Sequence, residues 1–95
     1  MEINLTVILK SKPESTAAFK SLLLDLVQKS TKEKACLQYE LHQSEKEPNV
    51  FIFHETWENQ EGLDLHNQQF YLKSFFENAN LYLEESPVIY KTNKL

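Results

Sequence analysis

A chain of 95 residues is sized for one domain, and folding would bury about two-thirds of its surface. Its 41% hydrophobic and 25% charged residues exclude wholesale disorder. A net charge of −4, with ten basic residues that are all lysines, excludes the clustered positive field and guanidinium forks that grip nucleic acid or an anionic membrane.

Absences narrow the classes further. The single glycine, Gly62, rules out a phosphate-binding glycine loop and a dinucleotide-binding turn. The single cysteine, Cys36, can form neither an internal disulfide nor a cysteine-rich zinc site. No apolar run approaches the ~20 residues that span a bilayer, and the opening MEINLTVILKSK lacks a basic leader and a small-residue cleavage site. The expectation is a soluble, cytoplasmic protein.

Ile3 to Lys10 is rich in leucine and β-branched residues and predicts a strand buried on both faces. Pro13 then marks the first turn of a helix. Along that helix Phe19, Leu22, Leu23, Leu26 and Val27 form one apolar stripe. The lysine-rich run from Lys29 to Lys34 complements the negative end of the helix dipole and is read as a solvated helix end. Cys36 to Ser44 alternates, with Leu37, Tyr39 and Leu41 on one side and Gln38, Glu40 and His42 on the other. The polar turn Glu45 to Asn49 joins it to a second strand, Val50 to Trp57, as a hairpin. With Ser44 opposite Val50, His54 faces Glu40 rather than His42. Asn59 caps the next helix, along which Leu63, His66 and Phe70 share a face. Another turn or two carries Leu72, Phe75 and Phe76. A last strand, Leu81 to Lys91, is interrupted by Pro87 and belongs at a sheet edge.

The order is β-α-β-β-α-β, the α+β ferredoxin-like arrangement, with helices on one face of a four-stranded antiparallel sheet. Val50 to Phe53 is apolar on both parities, yet one chain has too few elements to cover both faces. A homodimer packed sheet to sheet is therefore expected.

None of the three histidines has helical metal-pair spacing, and no metal site is predicted. Cys36 reads as a buried, inert thiol. Glu55, Trp57 and His66 lie close to a run of aromatics that includes Phe70, Tyr71, Phe75 and Phe76. Such a set can line a pocket whose imidazole takes a proton from a phenol or hydroquinone. The same residues can also fill a core, and spacing alone favours that second reading.

The segment FIFHETWENQEGLDLHNQQFYLKSF resembles the antibiotic biosynthesis monooxygenase (ABM) family, most specifically in Glu55-x-Trp57 followed by Leu63-x-x-His66. The stretch KACLQYELHQSEKEPNVFIF and the opening strand followed by KPE share the likeness, so it covers nearly the whole chain as one domain, 1–95. The resemblance implies a ferredoxin-like homodimer, a dimeric α+β barrel. Several members of the family oxygenate phenols or quinols with molecular oxygen and without metal or flavin. It implies His66 as base or orienting group and Trp57 as a wall, both in the catalytic set. Tyr39, Phe53, Glu55, Tyr71 and Phe75 would form the substrate pocket. Other members degrade haem or isomerise small metabolites. Haem degradation is disfavoured because Phe75 and Phe76 stand where that branch has its ligand histidine, and Thr6 replaces its first-strand asparagine. Two further departures are Ala35-Cys36 for a Gly-Cys pair, harmless where φ is negative, and Phe70-Tyr71-Leu72 for Pro-His-Phe. The expected activity is cofactor-independent monooxygenation of a small aromatic, phenolic or quinol substrate. A non-catalytic dimer holding a hydrophobic, quinone-like ligand and an isomerase are the alternatives.

Overall fold

The period of two along a strand sorts this molecule into layers. In the computed structural model, which describes residues Met1–Leu95, strand β1 (Ile3–Lys10) leads through a 3-10 turn (Pro13–Ser15) into helix α1 (Thr16–Ser30). The hairpin β2 (Cys36–Gln43) and β3 (Val50–Trp57) follows, then helices α2 (Gln60–Asn67) and α3 (Phe70–Ala79), and finally β4 (Val88–Thr92). The sheet order is β2-β3-β1-β4, antiparallel throughout. This is the expected ferredoxin-like α+β fold, with its second helix in two pieces.

Phe51, Phe53, Glu55 and Trp57 of β3 and Val7 and Leu9 of β1 point toward the helices and are buried. Phe19 of α1 anchors that layer, its ring 6.0 Å from Phe51, 5.9 Å from Phe75 and 6.0 Å from Tyr82. The opposite sheet face carries Thr6, Ile8, Glu40, Ile52, His54, Val88 and Tyr90, and no element of the chain lies over it. The chain exposes 6317 Å², above the roughly 5,700 Å² expected for its size, as suits a sheet with one bare face.

Ser44 N–H donates to the Val50 carbonyl, and Glu40 pairs with His54, as the hairpin register requires. Four details differ from the pattern-based expectation. Leu37 is the extra residue of a bulge between Cys36 and Gln38, so it turns outward while Tyr39 stays inside. Leu22 lies half out of the α1 stripe, at the rim of a groove facing α3. The α2 helix stops at Asn67 and α3 restarts at Phe70, which leaves Phe70 on the surface rather than on the His66 face. The last strand begins only after Pro87; upstream of it, Leu83 makes an isolated bridge to Ser11.

Candidate active site

Two inward residues of β3 start the site. Glu55 and Trp57 are two apart and so share a face, and the Trp57 indole N–H donates to Glu55 Oε1 at 2.9 Å. Across the hairpin, Tyr39 pairs with Glu55, its ring 4.8 Å from Phe53 and 6.2 Å from Trp57. Helix α2 brings the fourth member. Asn59 caps it, its side chain accepting from Gly62 N–H at 2.8 Å, and His66 emerges on the inner face. The imidazole lies over Trp57 at 4.3 Å and 5.6 Å from the Tyr39 ring.

Gly62 has a steric reason to be glycine. A Cβ there would come within 2.3 Å of the Ala35 Cβ, so α2 can lie against the α1–β2 connection only if residue 62 has no side chain. That close approach carries His66 to Glu33, whose Oε2 lies 2.6 Å from Nδ1. The Tyr71 hydroxyl donates to the same oxygen. A carboxylate oxygen engaged by two partners acts as acceptor, so Nδ1 carries the hydrogen and Nε2 keeps the lone pair. Nε2 makes no hydrogen bond.

A cavity of about 60 Å³ lies between sheet and helices, ringed by Leu5, Tyr39, Phe53, Glu55, His66 and Phe75 among others. The lining residues Phe76 and Ile89 are also exposed to solvent and mark its mouth. Electrostatics in this apolar setting follow burial. Burial, with Glu33 adding a little, pushes the Glu55 carboxyl up to about 7 despite the Trp57 N–H. Burial lowers His66, partly opposed by its bond to Glu33, which keeps the ring neutral at neutral pH. Burial and the Glu55 carboxylate push the Tyr39 phenol upward, so it stays protonated. Cys36 is pushed up to about 11, chiefly by burial, which makes it a poor thiolate.

The family model for antibiotic biosynthesis monooxygenase matches residues 4–78. The chain belongs to this family. It is 33% identical over 73 residues to YcnE of Bacillus subtilis, provisionally named a monooxygenase, covering 77% of each chain. It is 34% identical over 71 residues to an uncharacterised Synechocystis protein, covering 75% of this chain and 48% of that one, so it spans about half of that relative. The crystal structure of a Pseudomonas aeruginosa protein superposes with a TM-score of 0.93 at 26% identity, covering 99% of this chain and 94% of the other.

In this family member, the structure brings Tyr39, Phe53, Glu55, His66 and Phe75 to one cavity. Trp57, fully buried, stands behind them and joins Glu55 to His66. Tyr71 is not on the cavity wall. The break after Asn67 turns it into the groove between α1 and α3, where its hydroxyl holds Glu33 and Lys29 Nζ lies 5.8 Å from its ring centre. Ala35 has no positive φ, so the family's glycine is dispensable at that position. Sequence reasoning missed Glu33, the only acid between Lys29 and Lys34, because the lysines around it mark a solvated end. Its side chain is only 12% exposed.

Proposed function

We propose that this chain is a cofactor-independent monooxygenase of a small phenol or hydroquinone. One observation carries the reading: a neutral imidazole, oriented through Nδ1 by a largely buried carboxylate, lines an apolar cavity. A base oriented by a third group is the arrangement general-base catalysis needs. In the reaction His66 Nε2 takes the phenolic proton, and the electron-rich phenolate then reduces dioxygen directly. Phenol plus O2 gives quinone plus water. The substrate supplies all four electrons, so no external reductant enters. Apolar walls favour this step by excluding water from the anion.

The size of the cavity bears on the substrate. About 60 Å³ is well below the roughly 150 Å³ that admits benzene. Entry of an aromatic ring therefore requires Phe76 and Ile89 to swing outward, which favours one-ring over polycyclic substrates. The same reading includes a homodimer, in which a second copy covers Ile8, Ile52, Val88 and Tyr90 of the bare sheet face. Sedimentation at micromolar concentration should give twice the chain mass; a stable monomer would refute the dimer.

The test is oxygen uptake by metal- and flavin-free protein against a panel of phenols and hydroquinones. Uptake should match quinone formation one to one, and His66→Ala should lower kcat by about a hundredfold or more. Saturable binding of panel members without uptake would favour the ligand-binding alternative.

A further inference from the structure

Glu55 is the only carboxylate on the wall of the cavity, and it has two unequal oxygens. Oε1 is engaged by the Trp57 N–H at 2.9 Å. Oε2 makes no hydrogen bond, and the residue as a whole is 6% exposed. Trp57 touches both Glu55 and His66, so the two titratable groups flank the same space. We propose that Glu55 is the acid of the reaction, giving its proton to the peroxide formed when dioxygen adds to the substrate carbon.

This role rests on the monooxygenase reading above and extends it. His66 holds the phenolic proton while dioxygen forms a carbon–oxygen bond, leaving a peroxide anion on a ring carbon that still bears hydrogen. Glu55 protonates the terminal oxygen to give a hydroperoxide. The ring C–H proton then passes to the Glu55 carboxylate as the carbon–oxygen double bond forms and the O–O bond breaks. The departing hydroxide takes the proton from His66 and leaves as water. Both residues return to their starting forms.

The environment supports an acid that is about half protonated at neutrality and largely protonated below it. Glu55 faces Tyr39 and Cys36 from β2, Glu33 from the α1–β2 connection and His66 from α2. Leu5, its β1 neighbour, is uncharged, and Lys91 beyond it on β4 is bonded to Gln60. No cation contacts the carboxyl to force ionisation, and burial keeps its proton on up to about pH 7.

Trp57 is the chain's only tryptophan, so its fluorescence reports on Glu55 without requiring activity. Emission of the wild type should change with a midpoint near pH 7, and Glu55→Gln, which still accepts the indole N–H, should abolish that step. In turnover of a hydroquinone, Glu55→Gln should lower formation of the hydroxylated quinone about tenfold or more below pH 7, the substrate being oxidised instead to the unhydroxylated quinone with release of one hydrogen peroxide per dioxygen. The wild-type fall in kcat above pH 7 should vanish in the variant. An unchanged pH profile with full coupling of oxygen to quinone would overturn the role of Glu55 and leave the monooxygenase reading standing. Absence of the fluorescence step would overturn the role as well. No oxygen uptake by the wild type would overturn the monooxygenase reading, and the role with it.

Discussion

The two faces of one sheet share strands, register and hydrogen-bond ladder, yet carry different chemistry. On the helix-covered face, β3 presents Phe51, Phe53, Glu55 and Trp57, and its two polar side chains bond to each other, with Glu55 also lining the cavity. On the bare face the same strand presents Val50, Ile52, His54 and Thr56. There Thr56 bridges Asn4 at 3.0 Å and Gln38 at 2.9 Å in a row across three strands. His42 and His54 meet there edge to face, with centroids 5.0 Å apart. Burial separates the two. Where water is excluded, a carboxyl and an imidazole shift from their ordinary values, and shifted groups can exchange protons with a bound molecule at neutral pH. Of these histidines His42 is exposed and His54 half-buried, and neither lines the cavity.

Adjacent residues of β3 test that contrast most strongly. Phe53→Ala, on the covered face, should cost about 3–5 kcal/mol in urea unfolding. Ile52→Ala, one residue away on the bare face, should cost about 1 kcal/mol and act mainly on dissociation of the proposed homodimer. Similar losses of folding stability from both would mean the two faces are not distinct.

The next effect concerns Glu55. Its carboxyl sits near pH 7 in the folded protein against an ordinary 4.5, so the folded state holds the proton more tightly than the unfolded one. That contribution is complete below about pH 4.5 and is lost as pH rises through 7. Glu55→Gln should therefore gain roughly 3 kcal/mol relative to wild type between those limits, measured by urea titration across pH. A difference independent of pH would contradict the buried carboxyl.

A smaller effect sharpens how the covered face is assembled. Gly62→Ala places a methyl on Ala35 and should cost about 1–3 kcal/mol while loosening the Glu33–His66 contact. Adding Ala35→Gly removes the opposing Cβ and should restore most of the loss. Failure of that rescue would mean Gly62 is required for another reason.

Much of this was legible in the sequence, and the exceptions have physical causes. The bounds of β1 and β3, the Asn59 cap and the edge position of the last strand follow from local pattern and from what proline cannot donate. Glu55, Trp57 and His66 were visible through spacing and family resemblance. Glu33 was not, because its partner is 33 residues away and its neighbours are solvated lysines. The role of Gly62 was equally hidden, since a close approach between a helix and a connection distant in sequence leaves no local mark. The break between Asn67 and Phe70 contains neither glycine nor proline, so periodicity ran Phe70 onto the inner face when tertiary packing turns it out.

Monooxygenation is tested most directly by turnover under isotopically labelled dioxygen. One labelled oxygen should appear in the quinone and the other in water, with His66→Ala slowing both about a hundredfold or more. Quinone carrying oxygen from unlabelled water, or label transfer at an undiminished rate without His66, would contradict the account.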